Sequence, residues 1–244
     1  TDPIETRYAR RYRLQRDENG ETINPIVFYI DPGAPEPIRS ALVDGARWWS
    51  DAFAAAGFPD GYRVELLPED AHPLDIRYNV VQWVHRQTRG WSYGGGIADP
   101  RTGEMLKGHV ILGSLRVRQD RMIFEGLAGT QNVGTGAPDD PVELALSRIR
   151  QLSAHEIGHS LGFAHNFAAS TYDKGSVMDY PAPDIRVSGG ELDFSNAYGV
   201  GVGAWDEFAA TWLYGELTDD AREALVREAV ADGLVFVDDG HARG

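Results

Sequence analysis

The sequence predicts an α/β fold in which helices cover a mixed β-sheet. Apolar runs of strand length dominate the first half, an amphipathic helix separates the first two of them, and a long helix follows the last. Elements in this order pack as helices on a sheet. The 244 residues, 42% of them hydrophobic, are enough for one domain with its own hydrophobic core.

The first elements can be placed from hydrophobic periodicity. Residues 25–31 (PIVFYID) form a short apolar run closed by Asp-Pro-Gly, which predicts a strand and a turn. Apolar side chains then recur every three or four positions over 35–56, so this range predicts a helix. Residues 62–67 and 75–84 predict two further strands.

A turn-rich stretch, WSYGGGIADPRTGE, occupies residues 91–104. A phosphate-binding loop would require a following Gly-Lys-Ser/Thr and a helix, so the triple glycine instead predicts a flexible surface loop. The part from Asp99 to Glu104 could hold Ca²⁺ or form a plain turn, and the lack of a full EF-hand-type loop favours the turn. Residues 108–117 predict the next strand, and 120–139 predict a glycine-rich connection.

The strongest helix prediction covers residues 141–161. Asp140 can act as its N-cap, and Glu143 is placed to complete a capping box. Gly162 ends the helix at the position where a left-handed backbone conformation is needed. Further on, the sequence predicts a loop over 163–203, a helix near 204–214, and a last helix over 219–231 capped by Thr218.

Charge and composition exclude several classes of function. Asp and Glu number 37 against 23 Lys and Arg, so the net charge of −14 repels nucleic acid and anionic membranes, and neither is expected as a partner. No apolar stretch is long enough to insert into a membrane. The sequence contains no cysteine, which excludes disulfides and thiol catalysis.

The first residues are rich in arginine and lack both an initiator Met and the apolar core of a signal peptide. We therefore expect a mature or excised piece of a protein. Residues 1–24 are expected to form an N-terminal arm or a linker to a neighbouring domain, because they carry the cluster Arg7, Arg10, Arg11, Arg13 and Arg16.

The segment HEIGHSLGFAH, which begins at His155, carries the chemistry. His155 and His159 are one helical turn apart, so both imidazoles can bind one zinc ion. Gly162 allows the backbone to reverse, which returns His165 as a third ligand. Three neutral nitrogen ligands leave one coordination position open, as is typical of a catalytic zinc site. Chance would produce this pattern on the order of once in 10⁵ sequences of this length, which argues against three ordinary histidines.

HEIGHSLGFAH and the later SVMDY at 176–180 resemble the metzincins, a clan of zinc peptidases. The resemblance implies a two-lobe fold with a twisted, mixed five-stranded sheet, an active-site helix above the cleft and a mostly helical C-terminal lobe. Residues 25–162 would form the upper lobe and 163–244 the lower lobe. Met178 would then be the Met-turn methionine under the zinc, although a methionine by itself usually indicates core packing.

A closer resemblance involves NPIVFYID, ARWWSDAFAAAGF, DIRYNVVQWV, DPRTGE, SAHEIGHSLGFAHNF, SVMDY and GVGAWDEFA. These segments are similar to the catalytic domain of large bacterial exported zinc-dependent metalloproteases. This implies a secreted or periplasmic location and further domains in a longer parent chain.

The resemblance implies a zinc-dependent endopeptidase with one catalytic Zn²⁺ and a protein or peptide substrate. Glu156, beside His155, is the expected general base. Tyr180 is either an oxyanion donor, as in astacin-like and serralysin-like metzincins, or a structural tyrosine. Substrate is expected along an edge strand formed by Gly108, His109, Val110, Ile111 and Leu112.

Two alternative functions stay open. One is a catalytically silent, zinc-stabilised binding module, which the presence of Glu156 disfavours because a silent module usually lacks the base or a ligand. The other is a zinc hydrolase that acts on a non-peptide amide, which the motif by itself does not distinguish from a peptidase.

Overall fold

A computed structural model describes residues 8–87 and 90–242, so Arg7 of the arginine cluster lies outside the described residues. The strands are β1 (Gln15–Arg16), β2 (Thr22–Ile23), β3 (Ile26–Ile30), β4 (Tyr62–Leu66), β5 (Asn79–Val84), β6 (Tyr93–Ala98), β7 (Met105–Gly113), β8 (Arg186–Ser188) and β9 (Glu191–Asp193). The helices are α1 (Ile38–Arg47), α2 (Trp49–Ala55), α3 (Leu115–Ala128), α4 (Pro141–Ser160), α5 (Ala204–Tyr214), α6 (Asp219–Ala231) and α7 (Asp239–Ala242).

A five-stranded sheet organises the fold, with the strand order β4-β3-β5-β7-β6. The first four of these strands are parallel, and β6 runs antiparallel to β7 at one edge. Two short antiparallel pairs, β1 with β2 and β8 with β9, lie outside this sheet. The fold class predicted from the sequence, helices on a mixed sheet of five strands, is confirmed.

The long helix α4 lies in the hydrophobic core and packs against α1, α3 and the sheet. Trp49 is fully buried, and its Nε1 atom donates a hydrogen bond of 2.8 Å to the Ala154 carbonyl. The Trp49 ring also stacks on Phe163 with centroids 4.9 Å apart. These contacts fix α4 and the turn after it against the core. Within the described residues, no helix has the length and apolar character needed to span a membrane.

The N-terminal segment lies against the body of the molecule. Tyr12 is buried, and its hydroxyl donates a hydrogen bond of 3.1 Å to Asn79 Oδ1 at the start of β5. Arg11 Nη1 donates to the Leu213 carbonyl at 2.8 Å, and Arg13 pairs with Glu104 at 2.7 Å. Residues 8–24 are therefore anchored at several points, whereas the lobe boundaries at 25–162 and 163–244 stay a prediction.

The prediction of a loop over 91–104 is wrong for residues 93–98, which form the edge strand β6. Three glycines lower the intrinsic strand propensity, and the sequence pattern therefore suggests a turn. In the structure, however, a Cβ atom on Gly94 would lie 1.7 Å from the Glu156 carbonyl oxygen of α4. Glycine is required here because the strand passes against the helix backbone, a contact that sequence periodicity does not reveal.

Two helix predictions also need correction. The range 120–139 was expected to be a connection, but α3 begins at Leu115 and carries the ion pairs Arg116–Asp120 and Arg121–Glu125 at i,i+4 spacing. Such pairs support a helix whose apolar stripe is narrow. The expected helix over 35–56 is divided into α1 and α2 at Trp48.

Candidate metal centre and active site

Local sequence signals set the helix that carries the motif. The Asp140 side chain accepts a hydrogen bond from the Val142 amide at 2.9 Å, which confirms it as the N-cap of α4. At the other end Gly162 has φ +105°, and the Phe163 amide donates to the Gly158 carbonyl at 3.0 Å. The predicted glycine reversal after the helix is therefore present, and it directs the chain back toward the helix face that holds the motif.

The structure brings His155, His159 and His165 together. One nitrogen from each ring lies within 4.8 Å of the others, and among the described residues no other group of His, Cys, Asp or Glu side chains converges in this way. His155 and His159 come from consecutive turns of α4, and His165 from the segment after the reversal. The three ring centroids are 4.5 to 5.3 Å apart.

Each of the three rings directs its Nδ1 atom at an oxygen acceptor. The His155 Nδ1 atom lies 2.7 Å from the Val177 carbonyl, and that of His159 lies 2.9 Å from the Phe163 carbonyl. The His165 Nδ1 atom lies 2.7 Å from Asp239 Oδ2. Because these oxygens accept hydrogen bonds, the proton of each neutral ring belongs on Nδ1, which leaves a lone pair on Nε2.

The Nε2 atoms fit a bound cation. His155 Nε2 is buried and has no hydrogen-bond partner in the described structure. The Nε2 atoms of His159 and His165 are only 3.0 Å apart, so two lone pairs face each other unless a cation or a proton lies between them. Three converging imidazole lone pairs are the ligand set of a catalytic zinc site. The residues present therefore fit zinc.

Burial keeps the imidazoles of His155 and His159 neutral. It lowers the pKa of His155 to about 3, with the neighbouring His159 acting in the same direction. Burial also lowers the pKa of His159. A metal ligand must be unprotonated, so both rings are ready to bind a cation at neutral pH without first losing a proton.

Glu156 lies on α4 between the first two histidines and is 4% exposed. Burial raises the pKa of its carboxyl group to about 7, while a hydrogen bond from the Gly94 amide and the positive charge of Arg148 act in the opposite direction. The side chain lines a cavity beside the histidines together with Tyr180. A carboxyl group with this pKa can both accept and return a proton near pH 7.

Tyr180 lies beside the metal centre. Its hydroxyl is 2.9 Å from His165 Nε2, and its ring centroid is 4.7 Å from that of His155. The side chain is 53% exposed, which excludes a fully buried structural tyrosine and leaves the ring room to move. Burial of the hydroxyl raises its pKa, with the negative charge of Glu156 adding to the effect, so the phenol stays a neutral donor.

Met178 lies in the core at the foot of α4, with 1% of its surface exposed. A Cβ atom on Gly158 would lie 2.3 Å from Met178 Sδ, so only glycine at position 158 allows the sulfur to approach the helix this closely. The residue therefore packs directly beneath the turn of α4 that separates His155 from His159.

A buried carboxylate that the sequence does not reveal supports the turn around Met178. Asp206, at the start of α5, accepts hydrogen bonds from Ser176 Oγ at 2.5 Å and from the amides of Val177 and Gly203 at 2.9 and 2.8 Å. Burial raises its pKa to about 6 against these hydrogen bonds. Because the Val177 carbonyl accepts from His155, Asp206 also positions that histidine indirectly.

Asn166, directly after the third histidine, joins the metal centre to the C-terminal segment. Its side chain is fully buried, donates to the Val235 carbonyl at 2.9 Å and accepts from the Val237 amide at 3.1 Å. This segment continues into α7, which carries Asp239. The roles of Asn166 and Asp239 depend on contacts between residues that are distant in sequence. Hydrophobic periodicity and motif spacing are local patterns and do not reveal such contacts.

The expected substrate strand is wrong in one respect. Gly108, His109, Val110, Ile111 and Leu112 belong to β7, which pairs with β5 on one side and β6 on the other, so they do not form an edge. The antiparallel strand β6 covers them, because the chain reverses at the short turn of residues 99–104 and β7 then runs back along β6. The edge beside the metal centre is β6, and Gly94, Gly95 and Gly96 line the same cleft as His159.

The turn from Asp99 to Glu104 gives no support for calcium. The Asp99 carboxylate pairs with Arg101 at 2.7 Å and also accepts from the Arg101 amide at 2.9 Å. Within the part of the chain that the structure describes, no cluster of carboxylates forms there. The plain-turn interpretation accounts for these contacts.

One comparison with known proteins, that with family models, agrees with the motif. Residues 137–240 match a family model described as Met-zincin. Among solved structures, high choriolytic enzyme 1, a hatching enzyme zinc-protease from the medaka fish Oryzias latipes, is similar at 12% identity, with 82% of this chain and 92% of that chain covered and a TM-score of 0.36. No curated protein matched the chain. The family match covers all three histidines and Met178, and the predicted resemblance to the metzincins is thereby confirmed.

Proposed function

We propose that this chain is a zinc-dependent endopeptidase in which His155, His159 and His165 hold one zinc ion. The observation that carries the proposal is the arrangement of the three imidazoles, whose Nδ1 atoms face oxygen acceptors while their Nε2 atoms converge. The Met-zincin match over the same segment supports it. When bound, zinc would polarise a peptide carbonyl and lower the pKa of water toward neutrality.

Glu156 is the proposed general base. Its carboxyl group is buried beside the three histidines, and burial places its pKa at about 7, so it can remove a proton from the attacking water at neutral pH. The same carboxyl group can then return the proton to the departing amine. The Gly94 amide favours the charged form of this carboxylate.

Tyr180 is the proposed donor to the carbonyl oxygen of the scissile peptide, on which negative charge develops. Its neutral hydroxyl lies 2.9 Å from His165 Nε2, and its half-exposed ring leaves space for a swing. A donor placed in this way acts where charge develops in the transition state.

The polypeptide substrate is proposed to lie along the free edge of β6. Extended peptides bind such an edge through backbone hydrogen bonds. Gly94 and Gly96 add no side chains to this edge, whereas the Gly95 amide and carbonyl are held by Ser160 Oγ at 3.0 and 2.8 Å. We further propose that the chain is exported to the periplasm or the medium and works with other domains of a longer parent protein. This part is supported by the resemblance of its segments to bacterial exported metalloproteases.

The decisive experiment is incubation of the zinc-loaded protein with a denatured protein mixture, followed by mass-spectrometric mapping of new termini. Cuts at internal peptide bonds are expected, and the Glu156→Ala variant should abolish them. Equal cutting by this variant, or no cutting by the zinc-loaded parent, would contradict the peptidase proposal. Turnover of small non-peptide amides without internal cuts would favour the alternative hydrolase.

A further inference from the structure

A cavity of about 640 Å³ opens beside Glu156 and Tyr180. Its walls come from the loop before β6, the first turn of α3 and the middle of α4. Trp91, Leu115 and Leu152 supply apolar surface to these walls. A side chain that extends from a peptide bound at Glu156 could therefore enter an open and partly apolar space.

Arg148 brings a positive charge into this cavity from the catalytic helix itself. Leu152 and Glu156 follow it at i+4 and i+8 along α4, so the three side chains share one helix face. The Arg148 Nη1 atom donates a hydrogen bond to Gln151 Oε1, a neutral and buried acceptor. Gln151 thus fixes the guanidinium without neutralising it.

The other charged groups around Arg148 compensate its charge only in part. Arg116, which also lines the cavity, forms an ion pair with the buried Asp120 at 3.0 Å. Among the described residues, Arg148 forms no ion pair of its own. Burial lowers its pKa and the charge of Arg116 acts in the same direction, against weaker opposing effects of Tyr198, Asp120 and Glu156. An anion bound here would relieve an unfavourable burial of charge.

We propose that this cavity is a specificity pocket that binds a carboxylate group of the substrate, with Arg148 as its counter-ion. The inference rests on the proposed peptidase function and names the chemistry of the substrate. A guanidinium presents paired N–H donors that match the two oxygens of a carboxylate, and apolar walls strengthen such a pair. The carboxylate would belong to an Asp or Glu side chain or to the C-terminus of the peptide.

The net negative charge of the whole protein opposes the proposed preference of the pocket for a carboxylate. At a net charge of −14, long-range electrostatics disfavour acidic peptides. A preference for a carboxylate would therefore come from the pocket and would depend on Arg148.

Binding can be measured separately from cleavage in the zinc-loaded Glu156→Gln background. The probes are end-blocked, fluorescein-labelled decapeptides in which one Asp is moved along the chain, each paired with the Asn peptide. A peptide without charged side chains, compared with a free and with a blocked C-terminus, tests whether the pocket binds the C-terminal carboxylate. At one position or at the free terminus, the carboxylate should bind about 10-fold or more tightly than its neutral partner, as expected for a charged hydrogen bond.

Adding Arg148→Met should reduce this ratio to near one, whereas Arg150→Met should keep it. Arg150 is a matched control because it lies on the same helix but faces Asp44, at 3.5 Å. Zinc content and melting temperature report folding, and Arg148→Gln replaces Arg148→Met if the latter does not fold. Equal affinities of the Glu156→Gln protein for the carboxylate peptide and its neutral partner would overturn the proposal. So would a preference for the carboxylate that persists after the Arg148 charge is removed.

The same peptides, given to the protein with Glu156 intact, separate the two proposals. Carboxylate preference in binding without any cleavage would support the pocket and contradict the peptidase. Cleavage with no carboxylate preference would support the peptidase and contradict the pocket.

Discussion

The Nδ1 atom of His165 lies 2.7 Å from Asp239 Oδ2, although 74 residues separate the two in sequence. A carboxylate in this position fixes the tautomer of the ring and raises the basicity of Nε2, the atom directed at the metal centre. Asp239 is therefore a positioning residue for the third ligand.

Asp239→Asn should weaken zinc binding about 10- to 100-fold, the range typical for the loss of such a partner. The measurement is competition with a calibrated chelator. Asp238→Asn is the control, since the neighbouring Asp238 pairs with His241 rather than with a ligand. Equal zinc affinities of the parent and Asp239→Asn would show that the contact does not tune the metal centre.

His159→Ala should lose most of the zinc, because only two of the three imidazole ligands remain in this variant. Elemental analysis should find close to one zinc in the parent and in His72→Ala, which changes an exposed histidine outside the cluster. Stoichiometric zinc in His159→Ala would contradict the assignment.

Glu156→Gln should keep the fold and the zinc while turnover falls by about 10²- to 10⁴-fold, the contribution typical of a general base. The amide keeps the size of the side chain and removes its ability to accept the proton. Initial rates on one peptide substrate, at matched zinc content, provide the test. A rate near that of the parent would exclude Glu156 as the base.

Tyr180→Phe should lower kcat by roughly 10- to 10³-fold and leave KM nearly unchanged, because the hydroxyl is proposed to act in the transition state. The ring contacts with His155 and His165 remain in this variant, so packing is preserved. If kcat were intact and only the melting temperature changed, the hydroxyl would have a structural role.

Stability of the metal-free protein should depend on pH through Glu156. Its pKa is raised from 4.5 in the unfolded chain to about 7 in the folded one. The resulting stabilisation is complete below pH 4.5 and is lost as pH rises through 7. Relative to Glu156→Gln, the parent should therefore lose unfolding free energy over this range, by on the order of 3 kcal/mol at most.

Urea denaturation of both metal-free proteins from pH 4.5 to 8 gives this difference directly. His155 and His159 are present in both proteins, so their titration largely cancels. A constant difference across the range would contradict the burial of the Glu156 carboxyl group.

The sequence predicts the parts of the site that are local in the chain. His155, Glu156 and His159 lie on one helix whose N-cap and terminal glycine can be identified, so their relative positions follow from helix geometry. The return of His165 follows from Gly162. Helices α5 and α6 have the predicted bounds for the same reason, since capping residues and periodicity are local signals.

The failures concern contacts between distant residues. Nothing local distinguishes the glycines of β6 from a loop, because the reason for them is the α4 backbone at Glu156. The interior position of β7 likewise depends on β6. Asp206, Asp239 and Arg148 each act on residues that motif spacing does not connect to them.

Asn166 donates a hydrogen bond to the Val235 carbonyl and accepts one from the Val237 amide, so the surroundings of the metal centre depend on a segment that is translated later. All three histidines are translated before α6 and α7, and Asp239 follows His165 by 74 residues. A nascent chain that ends within α6 therefore carries every ligand but lacks the carboxylate and the backbone groups that hold His165 and Asn166. Translation must proceed through Asp239 before the complete metal centre can assemble.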